Sequence, residues 1–123
     1  MESPAIFADR PSSQAVYAAL LAVLEDLGPY SVEEKKTCLH VVAGNAAFLG
    51  VHPRKEGLRV TLAMSRALTG ERIAKSEQAS ANRFHNDLNL KQVSDMDEQF
   101  KGWVREAYER VAEKPPTESY QVQ

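Results

Sequence analysis

The sequence predicts an α+β domain in which an N-terminal and a C-terminal helix pack on one face of an antiparallel sheet of four or five strands. Three observations lead there. Apolar residues recur at helical spacing near both ends of the chain, the pattern between them switches to alternation, and tight turns join the alternating stretches. Antiparallel neighbours need only such turns, and their sheet can bury one face while the other stays wet.

Taken in order, residues 1–11 contain two prolines and no periodicity, the composition of a flexible arm. Ser12 or Ser13 is expected to cap the first helix, because a serine oxygen accepts hydrogen bonds from the first free backbone N–H groups. Val16, Leu20, Val23, Leu24 and Leu27 then make one apolar stripe, which Gly28 and Pro29 terminate. SVEEKK at 31–36 and TCLHVVA at 37–43 read as strands, the second richer in β-formers. Gly44-Asn45 tolerates positive φ and supplies a hairpin turn into AAFLGVH, 46–52. Beyond the polar turn PRKEG, LRVTLAM at 58–64 alternates, with Leu58, Val60, Leu62 and Met64 inward and Arg59 and Thr61 outward. Residues 65–80 are polar and irregular, with a turn at Thr69-Gly70.

NRFHNDLNL, 82–90, supplies the last strand, with Phe84, Asn86, Leu88 and Leu90 on the core side and Arg83, His85, Asp87 and Asn89 on the wet side. Ser94 is expected to begin the closing helix, with Asp97 completing a capping box. Met96, Phe100, Trp103, Val104, Ala107, Tyr108 and Val111 form a stripe that must be buried. Residues 12–113 are thus one domain, and the polar, proline-interrupted 114–123 a disordered tail.

Composition narrows the function. A chain of 123 residues fits one core, and no apolar run approaches the ~20 residues that cross a bilayer. The N-terminus lacks a basic stretch followed by an apolar one, and the single Cys38 has no intrachain disulfide partner, so a cytoplasmic location is expected. Net charge is only −2, but it is unevenly spread. Residues 35–91 hold ten Lys and Arg against four acids, a balance of +6, and the remainder five against thirteen, −8. A basic middle between acidic flanks favours an anionic partner, or else reflects acidic helices lying beside a basic sheet.

Three stretches carry a family resemblance: AAFLGVHPRKEGLRVTL, ERIAKSEQASANRFHNDLNL and DEQFKGWVREAYE. Together they resemble the bacterial and archaeal family known as domain of unknown function 5655, over about residues 30–108. The resemblance supports the fold. The family's loose association with transport attaches to none of these residues, and no reaction comes with it.

The candidate site residues are His52, Arg54, Lys55, Arg59, Arg72, Lys75, Arg83 and His85, a basic, histidine-bearing sheet face and turn. The expected chemistry is capture of an anionic small molecule or an acidic protein surface by charge-assisted hydrogen bonds. In HPRKEG, 52–57, the rigid Pro53 turn presents a histidine, an arginine and a lysine together. The bland alternative is a solvated polar face. A small hydrolase using His85 and Asp87 is a rival, although no activated nucleophile is recognisable. An oligomerisation module, including a homodimer, is a third reading. His40, His52 and His85 share a face only if His40 pairs with Gly50; no metal-ligand spacing is present, so neither a metal nor another cofactor is expected. The outward positions offer no aromatic row on which bases would stack, which argues against nucleic acid.

Overall fold

Alternation in LRVTLAM sets the two faces of the sheet. In the computed structural model, which describes residues 5–112, this stretch is β4 (Leu58–Met64). Leu58, Val60, Leu62 and Met64 are fully buried, while Arg59 and Thr61 lie half-buried on the opposite face. The other strands are β1 (Ser31–Glu34), β2 (Leu39–Ala43), β3 (Ala46–Pro53), β5 (Ile73–Ser80) and β6 (Arg83–Leu90). The helices are α1 (Pro11–Glu25) and α2 (Glu98–Ala112). All neighbours are antiparallel, in the order β1-β2-β3-β4-β6-β5. The apolar sides of β2, β3, β4 and β6 join both helix stripes in one core, so the helices cover one face and leave the other open. Among the described residues no helix is long and apolar enough to cross a membrane.

The sheet has six strands rather than four or five. The additional one is β5, IAKSEQAS, in the stretch that reads as irregular. It is an edge strand, exposed along nearly all its length, so burial imposed no apolar alternation on it. Backbone pairing to β6 holds it, assisted by Ser76 Oγ donating to Asn86 Oδ1 at 2.7 Å. The chain steps past the place of β6 to lay down β5, then returns by a hairpin, so that β6 pairs with β4.

Both helix starts differ from expectation. Pro11 occupies the first turn of α1, where its missing N–H costs nothing, and Arg10 is the N-cap residue with no side-chain cap bond. Ser12 and Ser13 instead fasten the helix to the β3–β4 turn. Ser13 Oγ lies 2.7 Å from the Gly57 carbonyl and 3.0 Å from that of Arg54, and Ser12 Oγ accepts the Gly57 N–H at 3.0 Å. Ser94 lies in a short 3-10 turn, Val93–Asp95, and Asp97 caps α2 by accepting the Phe100 N–H at 3.0 Å. That bond, and then the Arg72 guanidinium, hold the Asp97 carboxyl below its ordinary pKa.

Residues 5–10 are also anchored. Phe7 is fully buried, its ring centroid 4.8 Å from that of Tyr17, and Gln14 Nε2 donates to the Phe7 carbonyl at 2.8 Å. One buried aromatic thus fixes a stretch whose lack of periodicity reads as an arm. The tail at 114–123 lies outside the described residues.

Candidate functional site

Register decides which polar residues meet on the open face. In the β2–β3 hairpin the register shifts between Val41 and Val42, so Phe48 turns with Leu49 into the core. There Phe48 meets Tyr108 edge-on, with ring centroids 5.4 Å apart. Beyond the shift His40 faces Gly50, as the shared-face arrangement requires. A row then runs across the sheet through Glu33, His40, Gly50, Thr61, Asp87 and Lys75. On one side of it lies the row His52, Arg59, Asn89; on the other, Ala63, His85, Glu77.

All three histidines line one cleft of about 230 Å³, together with Arg83. Small residues open it: Gly50, Thr61 and Ala63 form the floor between the imidazoles. A β-carbon on Gly50 would enter this space, 3.7 Å from Thr61 Cβ and 4.0 Å from His52 Nε2. His40 therefore belongs with His52 and His85, although its register alone decided that. Among the described residues no cluster of His, Cys, Asp and Glu is arranged to hold a metal ion. A larger hollow, about 340 Å³, lies beside Val23, Leu27 and Met96; Asp26, Lys101 and Arg105 line it too, and it contains no histidine.

Half of the basic middle proves to be internally matched: five of its ten cations, Lys35, Arg59, Arg66, Arg72 and Lys75, stand in salt bridges. Arg59 Nη2 donates to Asp87 Oδ2 at 3.1 Å, and Thr61 Oγ1 donates to Asp87 Oδ1 at 2.7 Å. Arg72 leaves the open face altogether: it binds Asp97 at 2.8 Å and the Asp95 carbonyl at 2.9 Å, and lies over the Trp103 ring. Lys75 approaches Glu77 at 3.7 Å, and Arg66 holds Glu106 through two bonds of 2.8 and 2.9 Å. Two of these acids sit at or on α2 and hold the two arginines of the loop between β4 and β5, whereas Arg59 and Lys75 are matched within the sheet. The exposed pairs among these, such as Lys75–Glu77 and Arg66–Glu106, contribute only about 0–1 kcal/mol each. Arg54 and Lys55 stand exposed in the β3–β4 turn at the edge of the site.

Arg83 differs. Its Nε is buried with no hydrogen-bond partner among the described residues, and it takes part in no salt bridge there. An unmatched buried donor costs about 1–3 kcal/mol, more if charged. Arg110, at the end of α2, stands close enough that burial and then the Arg83 charge push its pKa down. It donates to the Asn82 carbonyl at 3.4 Å. Arg110 had no signal in the sequence, because it lies on the polar side of a helix and arrives through tertiary packing. Burial, followed by the Arg54 charge, also lowers the pKa of His52.

The fold and this cleft define a class: a small α+β domain with a helix-covered sheet and a histidine- and arginine-lined hollow on its open face. The family model for the domain of unknown function DUF5655 matches residues 4–111, and the chain belongs to that family. The match begins well before residue 30, so α1 and the anchored segment ahead of it are part of the family unit. No curated protein and no solved structure matches the chain.

Proposed function

We propose that the domain captures a small anion, a carboxylate or phosphate, in the open-face cleft. Arg83 supplies a charge-assisted hydrogen bond, and His40, His52 and His85 supply further polar contacts around the ligand. The observation that carries this reading is the convergence of three histidines with an arginine whose buried Nε has no partner among the described residues. Concavity favours a small molecule over an acidic protein surface, since few polar groups converge on a confined space. The hydrolase reading is weakened by Asp87, whose oxygens accept from Arg59 and Thr61 rather than orienting His85.

The test is a titration of the labelled protein with phosphate, acetate, nucleotides and oligonucleotides, followed by backbone and imidazole resonances. Shifts clustered in β2, β3 and the start of β6 are expected for the small anions. Arg83→Gln should weaken binding roughly tenfold to a hundredfold, since a hydrogen bond to a charged group contributes about 1.5–3 kcal/mol. If no anion moves these strands, the proposal fails.

Acidity gives a second prediction. His52 gains charge only below the ordinary imidazole range, because burial lowers its pKa, so anion affinity should rise as pH falls below about 6.5. Stability should move the other way at His52. Its folded pKa lies below the ordinary 6.5, so near that pH the unfolded chain binds more protons and stability falls as pH decreases. Denaturant midpoints of the ligand-free protein at several pH values check the sign, with His52→Gln flattening the profile.

A further inference from the structure

The two edge strands of the sheet differ in what they could accept. β1 is four residues long and carries Glu33 and Glu34, so a second β1 alongside would set acid near acid. β5 is eight residues long and exposed. One side of it pairs with β6, and the other presents unpaired backbone N–H and C=O groups, a template for another strand. Lys75 and Glu77 share the open face, opposite Asp87 and His85 of β6, whereas Ser76 turns toward the helices.

We propose that β5 pairs antiparallel with β5 of a second copy of this chain, joining two sheets edge to edge about a two-fold axis at Ser76. Parity and charge select this register. Residues directly opposite in a continuous sheet share a face, so the axis must fall on a residue rather than between two. Centred on Lys75, it sets lysine against lysine; centred on Glu77, glutamate against glutamate. Centred on Ser76, it sets Lys75 of each copy against Glu77 of the other, on the open face, twice. Opposite charges in directly facing positions attract, and like charges repel.

A lone lysine would blunt this edge; a lysine and a glutamate two residues apart invite a copy. The internal Lys75–Glu77 contact is long, 3.7 Å, and both side chains are more than half exposed, so each is available for exchange. Register shifts between Ile73 and Lys75 and between Gln78 and Ser80 flank the segment and confine the pairing to its middle. The dimer is accordingly weak and concentration-dependent, with main-chain hydrogen bonds supplying most of the affinity.

Sedimentation equilibrium of the full chain from micromolar to millimolar concentration tests it. The mass should climb from 13.7 kDa towards twice that value. Lys75→Glu and Glu77→Lys, each verified as folded by circular dichroism, should each move dimerisation to at least tenfold higher concentration. The double variant should restore it, because the exchanged charges face one another again. A wild-type mass that stays monomeric throughout overturns the proposal. So does a dimer that ignores both single reversals, or a double variant that remains as weak as the single ones.

Discussion

Gly57→Ala is expected to unfold the domain or lower its stability by about 4 kcal/mol or more, in the range reserved for named structural failures. Gly57 has φ +72, a conformation in which a β-carbon is already strained. That β-carbon would also be driven into the Leu90 carbonyl oxygen and within 2.7 Å of Lys91 Cα, which are backbone atoms with little freedom to retreat. The same residue is the point at which α1 is fastened: its N–H donates to Ser12 Oγ and its carbonyl accepts from Ser13 Oγ. Three parts of the fold thus meet there: the turn carrying Arg54 and Lys55, the first turn of α1, and the end of β6. Chemical denaturation compares Gly57→Ala with Glu56→Ala, an exposed neighbour whose change should stay within about 0.5 kcal/mol. Near-equal midpoints for the two would show that the junction yields to an added methyl group.

How much of this was legible depended on burial. β4 and β6 could be read by their alternation because one face of each is in the core, and a buried face is what writes a period of two into a sequence. The stripe of α2 was legible for the corresponding helical reason, since Phe100, Val104, Ala107, Tyr108 and Val111 are all buried. β5 left no such trace because it buries almost nothing. Asn86, although on the core side as its parity requires, could not be recognised from sequence as a hydrogen-bonding hub. Ser12 and Ser13 stood where a cap was expected but bind a turn more than forty positions away, a tertiary use that local spacing cannot distinguish from capping.

For the candidate site the division is similar. The outward placement of His52, Arg59, Arg83 and His85 followed from strand parity. Whether His40 joined them depended on one register choice, which a bulge sits beside. The placement of Arg72 was not legible, because the loop that carries it returns to the start of α2 and spends its charge on Asp97. The excess of positive charge in the middle of the sequence therefore overstates the field on the open face. Arg59 and Lys75 have acids beside them, while Arg83, Arg54 and Lys55 stand in no salt bridge among the described residues.

Asn86→Ala should cost about 3 kcal/mol, lowering the melting temperature by roughly 10–15 °C. The side chain is fully buried on the helix side of β6 and is matched in both directions. Oδ1 accepts the Leu68 N–H at 2.9 Å and the Ser76 hydroxyl at 2.7 Å, while Nδ2 donates to the Arg66 carbonyl at 3.1 Å. Truncation leaves the N–H of Leu68, a residue only 4% exposed, without its partner in a place water does not readily reach, and also releases Ser76 and the Arg66 carbonyl, which belong to exposed residues. Asn86→Asp separates the two directions of bonding: it keeps acceptors for Leu68 and Ser76 but sets a carboxylate against the Arg66 carbonyl, and so should also destabilise. The consequence extends to the open face. Asn86 lies between His85 and Asp87, and its bonds tie β6 to β5 and to the 65–72 loop, which opposes a one-residue slip of the strand. Such a slip would carry His85 into the core and away from the cleft. In Asn86→Ala, amide exchange should therefore accelerate in β5 and the loop before it does in β2 and β3. Uniform acceleration across the whole sheet would instead mean that Asn86 supports global stability without holding the register of the strand that bears Arg83 and His85.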